Sequence, residues 1–168
     1  KVIFLPNPAN PTGALISHEA IDKFVSSLPK KIIIVIDEAY IEYACIRGHK
    51  SCVTLLQKYN NVIITRSFSK IYALAGIRIG YGLASEELIS KLNNKRQPFN
   101  VNQIAQLMAI KSLSDKKFLN ESLRDYDICR VYLTKELDKL HLNYIDSYAN
   151  FITINFGRAT KSIFNKLL

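Results

Sequence analysis

Four short apolar runs punctuate the first half of the chain, and stretches of helical spacing fill the gaps between them. Val2-Ile3-Phe4-Leu5, Lys31-Ile32-Ile33-Ile34-Val35-Ile36 and Val62-Ile63-Ile64 are brief and rich in Ile and Val, as strands of a buried parallel sheet are. The second suits a strand covered by helices on both faces. Ile79-Gly80-Tyr81-Gly82-Leu83 predicts a fourth strand. Ser17 reads as the N-cap of a helix that puts Ala20, Ile21, Phe24, Val25 and Leu28 on one face, and Pro29 closes it. A short helix is predicted over residues 52–59. Ser85 caps a further one over 86–93, whose acidic first turn suits the helix dipole.

After Pro98 the pattern changes. Val101, Ile104, Ala105, Met108 and Ile110 predict a helix with a buried core face. A long helix follows over 118–140, with Leu123, Tyr126, Val131, Leu133, Leu137 and Leu140 as an imperfect apolar stripe. Residues 143–156 read as strands with Ile152, Ile154 and Phe156 on one face. Another helix begins at residue 160. The fold class is therefore α/β: a mostly parallel sheet flanked by helices, followed by the start of a smaller α+β domain. Residues 1–115 form part of the first unit, and 116–168 form a linking helix and an incomplete second unit.

Composition narrows the setting more than the function. The 168 residues are 48% hydrophobic, enough for a substantial core. No apolar stretch approaches the ~20 residues that span a bilayer, and no signal-peptide pattern opens the chain. No membrane association is expected. Cys45, Cys52 and Cys129 are odd in number and lack metal-ligand spacing, so neither metal nor disulfide is predicted, and a reducing cytoplasm fits. His18, His49 and His141 are scattered, as surface or helix-end residues are. The net charge is +9, from 23 Lys and Arg against 14 Asp and Glu. The basic residues lie in dispersed pairs such as Lys30-Lys31 and Lys95-Arg96, so no nucleic-acid partner is expected. Arg47 and Lys50 read as a solvated loop.

The chemistry gathers at strand ends. Ser67-Phe68-Ser69-Lys70 follows the third strand, with Arg78 eight residues beyond Lys70. Lysines so placed lie where open α/β sheets bind ligands. Two hydroxyls, an ammonium and a guanidinium suit a phosphate and an aldehyde in one site, which points to pyridoxal phosphate held by a lysine Schiff base. The second strand ends in Asp37-Glu38-Ala39-Tyr40. A carboxylate there is costly unless it meets a cation, and a protonated pyridine nitrogen supplies one. Tyr40 could then reach the ring's phenolic oxygen. The first strand runs into Asn7-Pro8-Ala9-Asn10-Pro11-Thr12-Gly13, a rigid loop able to hold an Asn amide against a fixed oxygen. Each piece also has a plainer reading: a solvated basic turn, an Asp capping a strand end, an ordinary proline-rich loop.

In this order, the three motifs resemble the fold-type I pyridoxal-phosphate enzymes, specifically the class I/II aminotransferases. DEAYIEY followed by RSFSKIYALAGIRIGYG is similar to the histidinol-phosphate aminotransferase branch. The resemblance implies that Lys70 binds the cofactor aldehyde, that Asp37 pairs with the pyridine nitrogen, and that Asn10 and Tyr40 hydrogen-bond the ring 3-oxygen. It implies phosphate-binding roles for Ser67, Ser69 and Arg78, and an antiparallel fourth strand. The implied reaction is transamination of L-histidinol phosphate with 2-oxoglutarate, giving imidazole-acetol phosphate and glutamate, by a cytoplasmic homodimer. Lys70 would move the substrate α-proton. Threonine-phosphate decarboxylases and aromatic aminotransferases share these motifs, and an aminotransferase-like domain also serves certain helix-turn-helix regulators. Against its family the chain reads as a central piece, expected to be inactive alone, with the substrate clamp outside it.

Overall fold

The computed structural model describes residues 1–157 and 160–168. The three Ile- and Val-rich runs become adjacent parallel strands: β1 (Val2–Pro6), β2 (Ile33–Asp37) and β3 (Val62–Ser67). β4 (Gly80–Ala84) pairs antiparallel with β3, as the resemblance implied, giving the order β1-β2-β3-β4. The register sets two faces. Leu5, Ile36, Ile64 and Leu83 form a row on one, and Phe4, Val35, Ile63 and Ala84 a row on the other.

The first face is closed by α1 (His18–Ser27) and a 3-10 helix, Cys52–Gln57. Ile21, Val25, Cys52 and Leu55 pack there on Ile34, Ile36, Val62 and Ile64. Each fully buried aliphatic side chain contributes roughly 1.5–3 kcal/mol. The Ser17 cap forms as expected, its Oγ accepting from the Ala20 N–H at 3.2 Å. On the second face coverage is uneven among the described residues: Ile63 is buried, whereas Phe4 is 76% exposed.

A short helix absent from the sequence reading, α2 (Ile41–Cys45), follows β2 directly. α3 (Glu86–Asn93) begins at Ser85, but the Ser85 hydroxyl donates to the Asn60 carbonyl at 3.1 Å instead of capping the helix. α4 (Gln103–Ser114) buries only Ala105 of the expected set and adds Ala109. Ile104 and Ile110 are 67% and 65% exposed. Apolar residues surround most of this helix, so spacing alone could not choose its inner face. α5 (Lys116–Lys139) lends Leu119, Leu123 and Tyr126 to a second cluster built on Tyr40, Tyr43, Phe68, Ile71 and Tyr72.

β5 (Asn143–Tyr144) and β6 (Ile154–Asn155) pair antiparallel but are much shorter than the stretch 143–156. The chain between them leaves the ladder to dock elsewhere. The Tyr148 N–H donates to the Gly13 carbonyl at 2.8 Å, and the Thr153 hydroxyl donates to the Pro11 carbonyl. α6 (Lys161–Leu167) ends the described chain. Among the described residues no helix is long and apolar enough to cross a membrane.

Candidate active site

Parallel pairing brings the carboxyl ends of β1, β2 and β3 to one edge, with Pro6, Asp37 and Thr65 in a single row. All three motif loops therefore leave the sheet side by side, where open α/β sheets bind ligands. The proline-rich loop is pinned there by Asn7, which is fully buried. Its amide nitrogen donates to the Ile16 carbonyl at 3.0 Å, and its amide oxygen accepts from the Ile16 N–H at 2.8 Å. The Asn7 N–H reaches the Asp37 carbonyl at 2.8 Å. Both Asn–Pro bonds of the loop are cis.

That anchoring presents Asn10. Its amide donates to the Tyr40 hydroxyl at 3.1 Å, across the gap from the first motif to the second. The Tyr40 ring is buried, with Phe151 edge-on at 5.4 Å between centroids. The Lys70 ammonium lies over the same ring, 5.1 Å from its centroid, within cation–π range. Asn10, Tyr40 and Lys70 thus meet at one aromatic ring, although they belong to three separate loops.

Asp37 ends β2 with its carboxylate exposed, accepting one bond from the Ala39 N–H at 3.1 Å. Ser67 ends β3 on the same sheet face, by strand alternation and register with Asp37 and Thr65. Its hydroxyl accepts from the Ser69 N–H at 3.0 Å, which turns the chain toward Lys70. Ser67 pairs with Gly80, so Arg78 lies just beyond that pair. Arg78 is exposed, with a left-handed backbone (φ 62°), and its guanidinium donates to the Ala75 carbonyl. The structure therefore joins Asn10, Tyr40 and Lys70 by contact and Ser67 to Ser69, and it sets Asp37 on the same edge. It does not join Arg78 to either serine.

Two arrangements behind the site escaped the sequence reading. Glu38 is buried and accepts from the Arg66 Nη2 at 2.8 Å and the Cys52 N–H at 2.6 Å. Burial would pull the Arg66 guanidinium down, but the Glu38 carboxylate together with Tyr81 outweighs it and holds the group more firmly protonated. A signal existed: Ile34, Ile36 and Glu38 share one face, as do Val62, Ile64 and Arg66, so opposite charges end neighbouring inward rows. The second is Arg47, which is no solvated loop residue. Its side chain is 19% exposed and bonds the Asp146 carboxylate at 2.7 Å and the Ser147 carbonyl at 2.9 Å. No local pattern could reveal partners so distant in the chain.

The class I and II aminotransferase model matches residues 1–168. The chain belongs to that family. Among curated relatives, the histidinol-phosphate aminotransferase of Caldicellulosiruptor saccharolyticus is 38% identical over 168 residues, covering 100% of this chain and 47% of the relative. Among solved structures, the histidinol-phosphate aminotransferase of Sinorhizobium meliloti in complex with pyridoxal-5'-phosphate superposes with a TM-score of 0.86 at 32% identity, over 94% of this chain and 42% of that one. The Clostridium acetobutylicum enzyme of the same name gives 0.84 at 30% identity, over 99% and 51%. The chain spans about half the length of the curated relatives it matches.

Proposed function

We propose that the full-length protein carrying this chain is a pyridoxal-phosphate-dependent aminotransferase that exchanges the amino group of L-histidinol phosphate with 2-oxoglutarate. The observation that carries this reading is the meeting of Asn10, Tyr40 and Lys70 at one ring beside the exposed Asp37 carboxylate. The donor set fits the cofactor: a carboxylate for a protonated ring nitrogen, an amide and a phenol for a ring oxygen, an amine for an aldehyde, and hydroxyls for a phosphate. The substrate assignment draws on likeness to proteins named histidinol-phosphate aminotransferases.

When bound, pyridoxal phosphate supplies an electron sink for the pair of electrons left at the substrate α-carbon. Lys70 Nζ would hold the cofactor and, once released by the incoming amine, move the proton at the substrate α-carbon. Asp37 would keep the ring nitrogen protonated. The Tyr40 hydroxyl, already ordered by Asn10, would orient the ring from its oxygen side. Ser67, Ser69 and Arg78 would bind the phosphate, which requires Arg78 to exchange its bond to Ala75.

In this reading residues 1–115 belong to the cofactor-binding domain and 116–168 to a linking helix and the start of a smaller domain. The working form is a cytoplasmic homodimer, and the isolated chain is inactive. The test is product analysis with the full-length protein and histidinol phosphate. Glutamate formed in step with consumed 2-oxoglutarate supports the assignment. Turnover of threonine phosphate with release of carbon dioxide, and none of histidinol phosphate, would replace it with a decarboxylase.

A further inference from the structure

We propose that the buried Glu38–Arg66 pair is a positioning element that sets Asp37 and Ser67 in register for the cofactor, an inference that rests on the functional reading above. Strand alternation places the pair directly behind the site. Asp37 and Ser67 face the ligand side, and their neighbours Glu38 and Arg66 face the covered side, in line with Ile36 and Ile64. The Glu38 N–H donates to the Thr65 carbonyl at 2.8 Å, so the β2–β3 ladder extends as far as the pair. Across that ladder, Arg66 Nε and Nη2 both donate to one Glu38 oxygen, at 3.1 and 2.8 Å. Ser51 joins both partners, donating to Glu38 at 2.8 Å and accepting from Arg66 at 2.7 Å.

The Glu38 side chain is 0% exposed and that of Arg66 20%. A carboxylate so buried cannot part from its cation without leaving an uncompensated charge. Sliding β2 against β3 would break the bidentate contact, so the pair fixes the relative position of the two strand ends. Among the described residues Asp37 has no such restraint of its own: its carboxylate is exposed and accepts only the Ala39 N–H. Its distance from Ser67 is inherited from the backbone, and the pair behind them sets that backbone. In the functional reading these two residues hold opposite ends of the cofactor, so their separation bears directly on affinity.

A double-mutant cycle on pyridoxal-phosphate binding by the full-length apoprotein, followed by visible absorbance, separates positioning from mere stabilisation. Circular dichroism confirms folding of each variant at the assay temperature. Glu38→Gln is expected to weaken binding about tenfold, and no more than about twofold when Ser67 is already alanine, since coupled neighbours are not additive. Where Glu38→Gln fails to fold, Arg66→Lys serves in the same cycle, because it keeps the cation and loses the fork. Fold-changes that simply multiply, or an affinity unchanged by Glu38→Gln, would overturn the positioning role. Absence of binding by the unmutated protein would instead remove the functional reading, and this inference with it.

Discussion

The guanidinium carbon of Arg47 lies 3.8 Å from the centre of the Tyr148 ring, and the same side chain bonds the two residues preceding Tyr148. This contact seats the 146–151 segment against α2 and the proline-rich loop, and so brings Phe151 edge-on to Tyr40. Arg47→Ala should lower stability by about 1–3 kcal/mol, the sum of a stacked cation and a charged hydrogen bond, read by urea denaturation. Arg47→Lys should recover only part, because an ammonium cannot stack and fork together. An unchanged denaturation midpoint in Arg47→Ala would mean that the segment is held elsewhere.

Gly13 meets the same segment from the other side. It has a φ of +73°, and a Cβ there would fall 1.9 Å from the Ser147 hydroxyl oxygen. Gly13→Ala therefore carries both backbone strain and a clash, costing together about 2–4 kcal/mol. Adding Ser147→Gly should remove the side-chain clash and leave the strain and a 3.0 Å approach to the Ser147 Cα, giving partial recovery in thermal unfolding. Complete recovery would show that the backbone conformation contributes nothing.

The Asn10–Tyr40 bond links the exposed Asn10 amide to a buried ring. Tyr40→Phe should change folding stability by less than about 1 kcal/mol, because water replaces the phenol at Asn10. In the proposed reaction the lost bond to the ring oxygen should cut kcat about tenfold. Asn10→Ala should lower it in the same direction. Unimpaired turnover in Tyr40→Phe would remove the tyrosine from the site.

His49 predicts a pH dependence. Among the described residues its buried Nε2 has no partner, and burial, aided by His18, holds the imidazole below its usual 6.5 against the opposing pull of Glu38 and Glu19. The unfolded chain takes up this proton first, so the stability from neutral His49 is complete above pH 6.5 and is lost as pH falls toward the folded value. Urea midpoints taken between about pH 8 and about pH 5 should fall less steeply in His49→Gln than in the unmutated protein. Identical slopes would show that other groups set the dependence.

Local chemistry was legible wherever it decided the structure. The Ile- and Val-rich runs became the strands, the Ser17 hydroxyl capped its helix, and residues 7–13 formed the proline-rich loop, with Pro6 closing β1. Lys70 and Tyr40 were singled out from strand ends, which parallel pairing must bring together, whereas Asn10 was picked out of its loop by the family resemblance. What escaped depended on partners distant in sequence. Ser85 gave its hydroxyl to Asn60, Arg47 found Asp146 and Ser147, and α4 buried its alanines because its apolar surface runs nearly all round. Nothing in the sequence set Asn7 apart within the proline-rich loop, yet it is the buried anchor of that loop.

Lys70 tests the central claim most directly. The visible spectrum of the full-length protein with pyridoxal phosphate, before and after histidinol phosphate, should be recorded beside that of Lys70→Ala. We expect a yellow lysine-imine band in the unmutated protein that bleaches with histidinol phosphate, whereas the variant should show only the band of the unreacted cofactor aldehyde and no turnover. A band that survives unchanged in Lys70→Ala, with turnover intact, would contradict the assignment of this lysine and the site built around it.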